Sequence, residues 1–173
     1  MRVLVTGGVR SGKSRHAEEL LRPEGSVTYV ALGPVHDDAD WAARIAAHRA
    51  RRPATWRTLE TGDLAAALRT PGPVLADCLG TWLTRVVDEA GLWDADQDAV
   101  SAHVDRRVDE AVAALADRAA DPVVLVTNEV GLGVVPEHRS GRLFRDLLGG
   151  VNQRLGAACD EVHLVVAGRV LRL

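Results

Sequence analysis

Lysine is almost absent: of the 21 Lys and Arg residues in this 173-residue chain, only Lys13 is a lysine. Positive charge is otherwise carried by arginine, so the one lysine is not a sample of generic surface charge. Cysteine is scarce too. Cys78 and Cys159 stand alone, with no C-x-x-C or Cys/His spacing to suggest a structural metal or redox motif. They read as two reduced thiols of an intracellular protein. No apolar run approaches the ~20 residues that a membrane-spanning helix requires. The N-terminus opens directly on a strand-like run, without the basic and apolar segments of a signal peptide, so a cytoplasmic location is expected. A net charge of −3 gives no electrostatic reason to expect nucleic acid as the main partner.

Short apolar runs alternate with longer helical patterns. Strands are expected at residues 2–6, 27–32, 56–59, 74–77, 123–127 and 162–167. Helices are expected at 13–21, 38–51, 63–68, 79–89, 99–119 and 139–159. In the second of these helices Trp41 and Ile45 share a face, Asp38 is a plausible N-cap and Pro53 stops the run. Strands that are apolar without alternation are buried on both faces, as in a mostly parallel sheet covered by helices. No linker, repeat or low-complexity tract divides the chain, so a single α/β domain over residues 1–173 is expected.

Residues 7–14 read Gly7, Gly8, Val9, Arg10, Ser11, Gly12, Lys13 and Ser14, which fits G-x-x-x-x-G-K-[ST] between a strand and a helix. Glycines let the backbone turn successive N–H groups inward onto phosphate oxygens. The helix beginning near Lys13 adds the positive end of its dipole. The Lys13 ammonium is expected on the β- and γ-phosphates and the Ser14 hydroxyl on Mg²⁺. Two acids, Asp77 and Glu129, follow apolar strands, at the strand ends where doubly wound sheets bind ligands. Both are candidates to support the Mg²⁺. The motif leaves open which nucleotide binds and whether its γ- or α-phosphate reacts.

The segment from Arg44 to Pro53 holds one imidazole, His48, among several arginines. A neutral imidazole nitrogen can attack phosphorus and split one transfer into two steps. A histidine on an arginine-rich solvated face is the competing reading of the same residues.

Taken together, the blocks resemble the bifunctional adenosylcobinamide kinase / adenosylcobinamide-phosphate guanylyltransferases of cobalamin biosynthesis. They are G-G-V-R-S-G-K-S-R from Gly7, R-I-x-x-H-x-x-x-R-P from Arg44, W-R-T-L-E from Trp56, A-D-C-L-G-T-W from Ala76, T-N-E-V-G-L-G-V-V-P from Thr127 and G-R-L-F-R-D-L-L-G-G-V-N-Q from Gly141. The resemblance implies a RecA-like P-loop NTPase fold and assembly as a homotrimer. It also implies two activities: phosphorylation of adenosylcobinamide with ATP or GTP, then GMP transfer from GTP by way of a guanylylated histidine. Carried over by position, that histidine is His48, with Lys13 catalytic in phosphoryl transfer. Nucleotide contacts are expected from the phosphate loop, Leu32, Gly33, Arg49, Ala50, Arg51, Arg52, Glu60 and Asp77. The chain departs from some relatives at Ala47, where they carry a second histidine; an acceptor at that position would remove guanylyl transfer and leave the kinase. A kinase without a covalent adduct and a non-catalytic nucleotide sensor remain the alternatives.

Overall fold

The computed structural model describes residues 1–33, 52–118 and 120–173. The helix expected over 38–51, with His48, Arg49, Ala50 and Arg51, lies outside the described residues. The strands are β1 (Arg2–Thr6), β2 (Thr28–Ala31), β3 (Arg57–Glu60), β4 (Val74–Asp77), β5 (Val123–Val126), β6 (Glu161–Val166) and β7 (Arg169–Arg172). The described helices are α1 (Lys13–Leu21), α2 (Leu64–Leu68), α3 (Leu79–Ala90), α4 (Gln97–Ala116) and α5 (Arg139–Ala157). The strands form one seven-stranded sheet in the order β3-β2-β4-β5-β1-β6-β7. Every pairing is parallel except β6 with β7, which is antiparallel.

The two-residue period of the strands divides the core. Leu4, Val30, Val74, Ala76, Val123 and Leu125 face one way, into a large cluster with residues of α2, α3, α4 and α5. Their neighbours Val3, Val5, Tyr29, Leu75, Val124 and Val126 face the other way, against Ala17 and Leu21 of α1 and Trp56. The middle strands are thus apolar throughout because both of their faces are covered.

Most expected elements are present with ends shifted by a residue or two. Asp63 is the N-cap of α2, accepting a hydrogen bond from the Ala66 amide at 2.9 Å. The sequence reading missed β7 and took residues 162–167 as the last strand. Ala167 and Gly168 both have positive φ, 49° and 75°, as a two-residue hairpin turn requires. β7 is exposed along its whole length, so it carries none of the burial pattern by which the inner strands were read.

Candidate active site

The phosphate loop joins β1 to α1 at the C-terminal edge of the sheet. Gly12 is the N-cap of α1 with φ 98°, and no side chain caps the helix, so the first-turn amides are left for an anion. Gly7 packs so closely that a Cβ there would collide with the Val165 carbonyl and come within 2.7 Å of Ser11 Oγ. Lys13 is buried at 9% exposure, and its Nζ donates to the Gly8 carbonyl at 3.1 Å. The ammonium therefore lies folded along the loop, on the carbonyl of a glycine within it. Val9 and Arg10 are exposed, Ser14 is half-buried, and Ser11 Oγ is buried without a protein partner.

The β6–β7 hairpin meets this loop from below. The Gly168 amide donates to the Ser11 carbonyl at 2.8 Å. On α1, His16 Nε2 lies 2.8 Å from His163 Nδ1 of β6, and His163 Nε2 lies 2.8 Å from Glu161 Oε2. Burial, then the neighbouring His163, lowers the His16 pKa, while the His163 hydrogen bond lowers that of Glu161.

The strand register sets the second part of the site. Glu60 pairs with Ala31, Ala31 with Asp77, Asp77 with Val126, and Val126 with Val5. One row across the sheet thus carries both acids expected at the nucleotide and crosses β1 at Val5, two residues before Gly7. At about 4.8 Å per strand, the Asp77 and Val5 backbones are roughly 10 Å apart, whereas Glu60 lies roughly 19 Å away. Asp77 Oδ2 accepts from the Tyr29 hydroxyl at 3.4 Å. Burial, with Asp77 next in effect, pushes the Tyr29 phenol well above its ordinary pKa, so it remains a donor. The Arg52 guanidinium stacks 3.7 Å above the Tyr29 ring, a cation–π contact, and reaches Thr58 Oγ1 at 3.3 Å. Arg52 is four residues beyond His48, so its stacking ties the end of the Arg44–Pro53 block to β2, through the tyrosine whose hydroxyl reaches Asp77.

Glu129 is held beside the loop by its backbone, its amide donating to the Gly7 carbonyl at 3.1 Å. Its carboxylate accepts from the Gly131 amide at 2.7 Å and so folds over its own turn. Thr127, fully buried, donates to Asn152 Oδ1 at 2.6 Å, and Asn152 Nδ2 donates to the Asn128 carbonyl at 3.0 Å. Asn128 Oδ1 in turn lies 3.5 Å from the Cys78 thiol, next to Asp77. This network fixes the ends of β4 and β5 against α5.

The expected residues are only partly brought together. The phosphate loop, Asp77 and the Glu129 backbone converge. The Leu32 side chain is fully buried in the core, leaving only its backbone for a ligand. Gly33 lies against Thr81 of α3, where a Cβ would sit 3.1 Å from Thr81 Cβ. Sequence reasoning missed Tyr29, Asn152 and His163, although V-N-Q was among the quoted blocks. The hydroxyl of Ser14 and the carboxylate of Asp77 are hard oxygen donors that suit Mg²⁺. Among the described residues no three His, Cys, Asp or Glu gather as a protein-only metal site, so the phosphates and water would complete a cation's shell.

The fold is shared with an ATPase of the type III secretion system of pathogenic bacteria, at TM-score 0.56 and 9% identity, covering 94% of this chain and 50% of that one. The sequence comparisons reach further. The bifunctional adenosylcobalamin biosynthesis protein CobU of Salmonella typhimurium is 44% identical over 97% of both chains. That of Escherichia coli is also 44% identical, with the same coverage. The corresponding protein CobP of Pseudomonas aeruginosa is 40% identical over 97% of this chain and 94% of its own. Residues 3–173 match the family model for cobinamide kinase / cobinamide phosphate guanyltransferase, and the chain belongs to that family.

Proposed function

We propose that this chain carries out both reactions of its family within one catalytic domain, through the phosphate loop and His48. The observation that carries the reading is the unsealed N-terminus of α1, with Lys13 folded into the loop and Asp77 two strands away in register. In the kinase step the substrate hydroxyl oxygen attacks the γ-phosphorus of ATP or GTP. The bond to the β–γ bridging oxygen breaks, and the hydroxyl proton passes to solvent or to a nearby base. Lys13 and the loop amides neutralise the charge that moves onto the leaving diphosphate. Mg²⁺, held by Ser14 and Asp77, supplies further neutralisation of the phosphate oxygens when bound. Glu129 serves the loop chiefly through its amide, with its carboxylate turning to a cation only if it leaves Gly131.

In the second activity the neutral His48 imidazole attacks the α-phosphorus of GTP, and the α–β P–O bond breaks to release pyrophosphate. A phosphate oxygen of adenosylcobinamide phosphate then displaces the histidine, breaking the P–N bond and giving adenosylcobinamide-GDP. Arg49, Ala50, Arg51, Arg52 and Glu60 are proposed to contact the guanine nucleotide, and Leu32 and Gly33 to do so through backbone. A homotrimer is the proposed assembly. Incubation with GTP and Mg²⁺ followed by intact-mass measurement tests the reading. A GMP adduct, lost in His48→Ala protein that still phosphorylates adenosylcobinamide, is the expected result. Phosphoryl transfer with no adduct in the unaltered protein would leave the kinase alone, and neither activity would leave a nucleotide sensor.

A further inference from the structure

We propose that the β6–β7 hairpin is a positioning element for nucleotide binding, with His163 as its key residue: it holds the phosphate loop in its receiving shape from beneath. The inference rests on the reading of residues 7–14 as the nucleotide site.

Three contacts join the hairpin to the loop at separate places. Gly7 lies so near the Val165 carbonyl that no Cβ fits between them. The Gly168 amide holds the Ser11 carbonyl at 2.8 Å. A Cβ on Gly12 would lie 3.5 Å from Gly168 Cα. The entry, crest and exit of the loop thus all bear on one hairpin. Pinning the Ser11 carbonyl turns the Gly12 amide of the same peptide the opposite way, and with the first-turn amides of α1, which no side chain caps, it is left for an anion. Such an arrangement of N–H groups binds best when formed beforehand, because the ligand then spends no energy ordering it.

The fourth contact is the chain Glu161–His163–His16. With Glu161 ionised, His163 Nε2 carries its proton toward the carboxylate. His163 Nδ1 is then left to accept from His16 Nε2–H. His163 is 1% exposed, so each of its ring nitrogens must find a partner within the protein. His16 is the residue whose amide closes the first turn of α1 on the Gly12 carbonyl, at 3.0 Å. The chain therefore fixes the azimuth of the helix turn that bears Lys13 and Ser14. Arg172, paired with His163 across the hairpin, and Glu19 on α1 are the other charged groups acting on His16.

His163→Phe keeps a ring and removes both nitrogens; His163→Gln keeps one donor and one acceptor. The dissociation constant of Mg·GTP, measured by calorimetry on full-length folded protein, is expected to rise roughly tenfold in His163→Phe and to return to within about threefold of the original in His163→Gln. The KM for nucleotide should rise more than kcat falls. Glu161→Gln alters a half-exposed carboxylate and provides a second variant should His163→Phe not fold; its dissociation constant should rise roughly threefold. A lowered melting temperature with unchanged GTP affinity, in whichever variants fold, would overturn the proposal and leave the hairpin a purely structural element. If the unaltered protein takes up no GTP, it is the reading of the loop itself that fails.

Discussion

Thr127→Val tests the polar network that anchors the phosphate-loop side of the sheet. Valine has the shape of threonine, so the replacement leaves no cavity. What it removes is the hydroxyl that donates to Asn152 Oδ1 at 2.6 Å from a fully buried position. A neutral hydrogen bond contributes about 1 kcal/mol net, and an acceptor left unpaired in a partly buried setting adds about 1 kcal/mol more. The expected destabilisation is therefore about 2 kcal/mol. For a protein of this size that corresponds to a fall in melting temperature of roughly 4–8 °C. Thermal and urea unfolding followed by circular dichroism would measure it. A double-mutant cycle with Asn152→Ala should return a coupling energy of about 1 kcal/mol between the two positions. A melting temperature within about 1 °C of the original, or additive effects in the cycle, would refute the reasoning.

Other expectations follow from single contacts. Lys13→Met keeps the apolar stem and deletes the ammonium; a loss of about 3 kcal/mol in GTP binding, roughly a hundredfold in dissociation constant, is expected by calorimetry, with the melting temperature little changed. Asp77→Asn should lower kinase turnover by at least about tenfold and raise the Mg²⁺ concentration needed for half-maximal rate. Burial pushes the Cys159 thiol to about 12 and raises that of Cys78. Iodoacetamide at pH 8 should therefore label neither in the folded protein and both after unfolding in urea. The Arg2 amide and guanidinium hold the Asp160 carboxylate below its ordinary range. Since a depressed folded pKa stabilises above the unfolded value, this contribution is lost as pH falls below about 4. Asp160→Asn should flatten the acid limb of the stability curve.

The strands and the phosphate loop were legible because their signals are local. Buried parallel strands announce themselves by unbroken apolar runs, and residues 7–14 carry their chemistry within one turn of chain. Asp77 was legible for a related reason, as an acid at the end of such a run. β7 was not: Arg169, Val170, Leu171 and Arg172 are all exposed, and its turn is Ala-Gly rather than Asn-Gly. The His16–His163 contact joins residues 147 positions apart and follows from β1 pairing with β6, which no spacing encodes. Tyr29 meets Asp77 for the same reason, through the β2–β4 register. Leu32 was expected at the ligand from the family resemblance alone, but its large apolar side chain is worth more in the core, and it turns inward.

The burial of Lys13 has a practical consequence. Any reagent that seeks primary amines finds one side chain to attack in the whole sequence, and that side chain is tucked under a glycine carbonyl. Acylation there, separated by mass from the Met1 terminus, becomes a one-site gauge of occupancy: ligands that shield the amine slow its modification, and those that bind elsewhere do not. The same scarcity makes lysine-based tethering or surface cross-linking a poor way to immobilise this enzyme, since the only side-chain handle lies in the proposed nucleotide site.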